Sequence, residues 1–421
     1  MPTTVTASGD TTDRDADILA AIVADPDRAV YLNGAYSISS LTIPVESAGA
    51  KIICSASTAL NNTPAAALTE DADAAIISNA EGFSLVSESN SPITTSAGPQ
   101  INAGGAYQTV LFSANNCTLR GFRLYDFSYK AWGLRGGDPV VDEIYSTSDR
   151  GVGIGPQGGQ GDPGTWRAGG YGTATIGRLL MGAFPNADSL GSGPSLKFSW
   201  FDSVAIRDVT QLVSPVSTHG YSLILGENII RVIVNKAHLP GGIAQFPDVA
   251  TASQPNIGAA TFDETIITYM EMNDCLIGQG AGFVSTALVF GWHRMRVRNL
   301  VMRRCCATGI QRAMFNEAYG VTVQHDDAAV DGYLLGETPG ARFEAASYVD
   351  SRYFEDCRFA TMLTTGPSES IAPRISNAGS NTPSLAGKIK HHNTQRYASD
   401  GSSLNYSNDA AMAAAWTAGA I

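Results

Sequence analysis

The chain has 421 residues, only 16% of them charged, with a formal net charge of -12. That balance argues against a nucleic-acid partner, which needs clustered Lys and Arg, and disfavours an anionic membrane surface. No stretch approaches the roughly 20 apolar residues of a membrane span, and the six cysteines show no zinc spacing, so neither metal nor cofactor is expected.

The opening "MPTTVTASGD" has no basic region followed by an apolar one, so no signal peptide is read there. A helix follows. Thr12 and Asp15 have the spacing of a capping box, and Asp13, Asp15 and Asp17 suit the positive end of the helix dipole. Ile18, Leu19, Ile22 and Val23 give the helix one apolar stripe, and Pro26 ends it. The period then changes to two: "AVYLNGAYSISSLTIP" reads as short strands with a turn at Asn33-Gly34.

Seven later segments share a plan of short strand, polar kink and short strand. They begin at Cys117, Ser203, Asn228, Thr268, Met295, Gly320 and Tyr353. Aligned on Val204, Ile229, Tyr269, Met295, Val321 and Tyr353, the separations are 25, 40, 26, 26 and 32 residues. A base period near 25 with loop insertions is the pattern of a solenoid, in which each repeat buries its face only against its neighbours. No long 3.6-residue period follows the first helix, so the coils are expected to be β, and the single helix to lie over an open end as a lid.

Cys117, Cys275 and Cys357 each close a polar pair, and Cys305-Cys306 follows two arginines. These read as small core residues at equivalent points of the repeat. The stretch 151–193 carries 14 glycines in 43 residues and reads as a surface excursion; 247–260 reads as an inserted loop. "GIGPQG" within the first fits a dinucleotide loop in letters only, because Pro156 and more glycines follow where a helix must open. Adjacent His391 and His392 would point to opposite sides of a strand, a poor arrangement for a shared metal. From about residue 366 the composition shifts to Ser, Asn, Ala and Pro, which reads as a C-terminal cap or oligomer contact.

The segment "GDTTDRDADILAAI" with the later "RAVYLNGAYSIS" resembles the opening of the pectate-lyase-type right-handed β-helix superfamily. The close match covers about the first 45 residues, and it is similar to the start of phage tailspikes and related virion proteins. The resemblance implies one all-β domain, a single-stranded right-handed parallel β-helix with an N-terminal capping α-helix. The parts would be the cap and first strands at 1–45, the β-helix at 46–365 and the terminal segment at 366–421. It also implies a homotrimer borne on a virion, made in the host cytoplasm, with bacterial surface polysaccharide and other virion proteins as partners.

Binding of polysaccharide is expected, and cleavage is left open between glycoside hydrolase and lyase chemistry. The alternatives are a non-catalytic virion scaffold and a free polysaccharide-cleaving enzyme. Polygalacturonase-like members carry N-T-D, G-H-G and R-x-K motifs; this chain has Asp326-Asp327 and "THG" at 218–220 but not the rest. Hydrolysis needs two carboxylates flanking the bond. The repeat alignment sets Asp274 and Asp326 two rungs apart, with Leu300 between them and Glu271 and Asp327 as the second pair. Flat rings stack on sugars, which makes Trp132, Trp292 and Tyr129 the candidate binding residues, with Tyr125, Trp166 and Trp200 behind them.

Overall fold

The computed structural model describes residues 2–7, 11–63, 73–89, 91–128, 130–147, 157–158, 172–182, 196–211, 223–225, 229–239, 243–245, 267–277, 292–293, 297–308, 351–355, 358–360, 389–392 and 395–397. Contacts divide the chain into two units, Met1–Gly220 and Tyr221–Ile421. Both are built from parallel strands, and the strand pairings among the described residues are parallel; one α-helix, α1 (Asp15–Ala24), is present among the described residues.

In the first unit the chain visits three ladders in turn. The first ladder holds Thr3–Thr6, Ala29–Asn33, Lys51–Cys54 and Ser84–Ser87, then Thr118–Tyr125, Val140–Ser146, Thr173–Met181 and Ser203–Gln211. The second begins with Ala35–Ile38, Ala59–Asn62 and Gln100–Asn102. It merges with the first at Thr118–Tyr125, whose two halves pair with different strands. The third holds Leu41–Ile43, Ala74–Ser78, Gln108–Phe112 and Lys130–Leu134.

The register follows from burial. Val30, Ile52, Leu85, Leu119, Val141, Ile176 and Ile206 stand on one another along the first ladder, and all are buried. Leu41, Ile76, Val110 and Trp132 do the same on the third. Each such side chain contributes about 1.5–3 kcal/mol on burial. A slip of one residue would turn a whole strand's apolar set outward, so the stacks fix the pairing.

Helix α1 does not use the expected capping box. The Asp13 carboxylate accepts from the Asp15 N–H at 2.9 Å, while the Asp15 carboxylate turns to the Ser39 N–H at 3.2 Å. The nearby strand corner competes for the group that would otherwise reach back along the helix. The buried side is Ile18, Ala21 and Ile22, whereas Val23 is 75% exposed. The helix packs on Thr3–Thr6, Ala29–Asn33 and Leu41–Ile43. A strand therefore precedes the helix, which the sequence pattern does not announce. Asp25, just past the helix, ties this end together: its carboxylate accepts from the Thr3 and Ala29 N–H groups at 3.0 and 3.2 Å.

The second unit repeats a shorter plan. Arg231–Asn235, Ile267–Asn273, Val297–Arg303, Ser351–Glu355 and Ile389–His392 form one ladder. Ala237–Leu239, Leu276–Ile277, Cys306–Thr308, Arg358–Ala360 and Gln395–Tyr397 form its companion. Lys236, Asp274 and Arg304 stand at the corner between the two, each in the left-handed region with φ of 48°, 56° and 50°. That corner is the polar kink seen in the sequence.

Strand Val297–Arg303 pairs directly with Ser351–Glu355; the segment from Gly320 lies outside the described residues. Residues 389–392 and 395–397 continue the ladders past 365; their alternation is short and stands between Ser- and Asn-rich flanks. The Gly-rich stretch 151–193 contains the nine-residue strand Thr173–Met181, whose alternating apolar residues outweigh the glycine count. Residues 247–260 lie outside the described residues.

Candidate functional site

Outward positions on the merged strands of the first unit carry a group of charged side chains. Thr118–Tyr125 turns a corner at Gly121, whose φ is +85° and whose added Cβ would sit 2.6 Å from the Ser87 Cβ. Only glycine fits there. In the next strand Glu143 occupies the corresponding corner with φ of 51°. Leu119 and Phe122 are buried on either side of that corner, while Arg120 and Arg123 face out.

Two guanidinium groups converge on Asp142. Arg120 approaches its carboxylate at 3.8 Å from the preceding strand, and Arg207 at 3.4 Å from two strands beyond. The intervening residue is Gly177, where a Cβ would lie 1.7 Å from the Asp142 Oδ1. Its missing side chain is what lets Asp142 and Arg207 meet. The Arg178 N–H also donates to Asp142, at 2.8 Å. Arg120 and Arg207 remain 45% and 60% exposed, against 18% for Asp142. Asp142 thus takes three donors, while the two guanidinium side chains stay partly exposed.

Beside this group a strap, residues 91–99, crosses the same strands. Glu143 and Arg178 pair at 3.1 Å and between them hold Ile93: its N–H donates to Glu143 at 3.3 Å and its carbonyl accepts from Arg178 at 3.1 Å. Farther along, Arg123 donates to the Gly98 carbonyl at 3.0 Å and the Tyr125 hydroxyl to that of Thr95 at 3.3 Å. Tyr125 stacks edge-on with Tyr145, centroids 6.0 Å apart, and Arg123 lies 5.7 Å from its ring centre. Strap, rings and cations form one continuous shelf.

The carboxylates singled out in the sequence sit in the second unit. Glu271 accepts from the Tyr269 hydroxyl at 2.7 Å, from Asn273 at 3.1 Å and from Arg303 at 2.6 Å. These donors, Tyr269 first, hold its carboxyl below the ordinary carboxylate range. Asp274 is gripped by both arms of Arg304, at 2.6 and 2.8 Å, which likewise lowers its pKa. A general acid in glycoside cleavage needs the opposite shift. Both groups are committed to holding neighbouring strands.

The ladder also revises the proposed pairing. Leu300 stands beside Met270, and Arg304 follows Arg303 beside Asp274, so Leu300 is not the rung neighbour of Asp274. The misplaced register came from aligning Tyr269 on Met295, whereas Tyr269 stands beside Asn299. Asp326 and Asp327 lie outside the described residues, as do Tyr129 and Trp166. Trp132 is fully buried in the third ladder's core, with its indole N–H lacking a hydrogen-bond partner, and so presents no platform to a sugar. The ring fills the stack begun by Leu41. Trp292 is placed on the strand Trp292–His293, and Trp200 is buried.

Sequence reasoning missed Arg120, Asp142, Glu143, Arg178 and Arg207. The signal was present: Arg120 and Arg207 each follow a stacked aliphatic residue, Leu119 and Ile206. It becomes readable only once the strand at 173–181 is placed between them. Among the described residues, no group of three or more His, Cys, Asp or Glu side chains gathers to hold a metal. Comparison with protein-family models, curated proteins and solved structures yields no match to this chain.

Proposed function

We propose that this chain is a right-handed parallel β-helix of the pectate-lyase type, a trimeric virion protein of the tailspike kind that binds bacterial surface polysaccharide. The shelf of the first unit is the binding surface, and binding proceeds without cleavage by Glu271 or Asp274. One observation carries the reading: Arg120 and Arg207 converge on Asp142 while keeping much of their surface in solvent, beside the Tyr125–Tyr145 pair. Exposed guanidinium donors and an aromatic edge on strands about 4.8 Å apart suit a polymer whose units repeat along the strands. Parallel ladders visited in a fixed order support the β-helix, and the opening segment supports the tailspike kind.

The test is retention of the purified protein on immobilised polysaccharides from a panel of bacterial hosts, compared with Arg207→Ala. Retention by one polysaccharide that falls at least tenfold in the variant supports the shelf. Equal retention of both proteins moves the site elsewhere. No retention across a panel containing the true host leaves the scaffold reading, which the saturated state of Glu271 and Asp274 favours.

A further inference from the structure

Four cysteines are buried thiols in the described residues, and two of them are rung neighbours. The pairs Asn273 with Arg303 and Leu276 with Cys306 set Cys275 opposite Cys305. Each follows a residue in the left-handed region, Asp274 and Arg304, so both corners turn alike and both side chains enter the core at 2% exposure. Neighbouring strands lie about 4.8 Å apart, inside the range of Cα separations that a disulfide spans. Cys305 leans back toward the earlier strand: its sulfur lies 3.4 Å from the Met272 carbonyl oxygen.

The other two thiols differ. Cys54 and Cys117 sit among apolar and hydroxyl side chains, and burial pushes both pKa values up, that of Cys117 to about 11. Cys275 moves the other way, chiefly because the Cys305 thiol hydrogen-bonds to it. A thiolate is the form that attacks peroxides and disulfides.

We propose that Cys275 and Cys305 form a dithiol that hydrogen peroxide converts to a disulfide, stapling two adjacent strands of the second unit. The inference does not depend on polysaccharide binding. The Cys275 thiolate attacks one peroxide oxygen, the O–O bond breaks, and the departing hydroxide takes a proton to leave as water. The resulting sulfenic acid is attacked by the Cys305 sulfur; the S–S bond forms and the sulfenic oxygen leaves as a second water. Two thiols lose two hydrogens and two electrons, and one peroxide is reduced to two waters.

The full chain is treated with hydrogen peroxide, denatured with an alkylating agent present, digested without reductant and sequenced by mass spectrometry. The expected product is one cross-linked peptide pair joining Cys275 to Cys305, lighter by two hydrogens and separated by reductant, with Cys54 and Cys117 alkylated. In Cys305→Ala the link is absent and Cys275 carries oxygen. Recovery of Cys275 and Cys305 as alkylated thiols after treatment would overturn the proposal. So would a link from Cys275 to Cys306 or to any other cysteine.

Discussion

The outward strips of the two units use the same ingredients to opposite ends. In the second unit Glu271 takes three donors and Asp274 both arms of Arg304, so acid and base are matched locally. In the first, Asp142 is shared by two arginines and a backbone N–H, and both guanidinium side chains stay partly exposed. The difference comes from one position. Gly177 clears the way between Asp142 and a strand two steps off, whereas the corner residues Lys236, Asp274 and Arg304 all carry side chains. Stacked acids and bases close on themselves unless a gap lets one reach farther.

The largest effect is expected in the core of the first unit's third ladder. Trp132→Ala removes a fully buried ring and should cost about 3–5 kcal/mol, read as a large drop in the thermal midpoint. Trp132→Phe should recover most of that loss, since it also removes an indole N–H without a partner. Full recovery of stability by the alanine variant would mean that the ring is not part of the stack.

Gly177→Ala comes next and bears on the contrast itself. The new methyl must displace the Asp142 carboxylate, at a cost of about 1–3 kcal/mol by chemical denaturation, and polysaccharide retention should fall with it. Arg303→Met breaks the partly exposed pair with Glu271 and, after allowance for solvent screening, should cost about 1 kcal/mol or less without altering retention. If the second substitution weakened retention as much as the first, the two strips would not be doing different things.

Acidity separates two other regions. Burial, with Asp13 adding to it, raises the Asp15 pKa from 3.8 to about 6. A raised carboxyl favours folding while protonated, so this contribution is full below about pH 3.8 and is lost as pH climbs through about 6. Asp15→Asn should therefore raise the thermal midpoint at pH 7, with the gain vanishing near pH 4. Glu271 and Asp274 have lowered values; their stabilisation is present above the ordinary carboxylate range and disappears as pH falls below it. A midpoint gain for Asp15→Asn that did not change with pH would contradict the first of these assignments.

The smallest effect is expected for Arg304→Asn. Asparagine accepts the left-handed corner more readily than arginine, which offsets the lost pair with Asp274, and unfolding should shift by no more than about 0.5 kcal/mol.

The fold was far more legible than the site. Alternation after Pro26, the single helix and the recurring polar kink expose parallel strands because burial acts on every second residue, whatever lies in the loops. Register was legible only where rungs were evenly spaced. From Val141 to Ile176 and from Asn299 to Ser351 the loops lengthen, and between Tyr269 and its neighbour Asn299 the alignment slipped, pairing Asp274 with the wrong residue. The shelf depends on that same spacing: Arg120 and Arg207 are 87 positions apart and meet only through Asp142. Trp132 misled because a buried and a sugar-stacking tryptophan look alike in one dimension.

The most direct test of this division of labour is the chain length of the retained polysaccharide, measured by size exclusion before and after incubation with the protein. The account predicts an unchanged profile for the wild type and for Glu271→Gln alike, with retention abolished by Arg120→Ala combined with Arg207→Ala. Shortened chains from the wild type, restored to full length by Glu271→Gln, would make that carboxylate catalytic and contradict it.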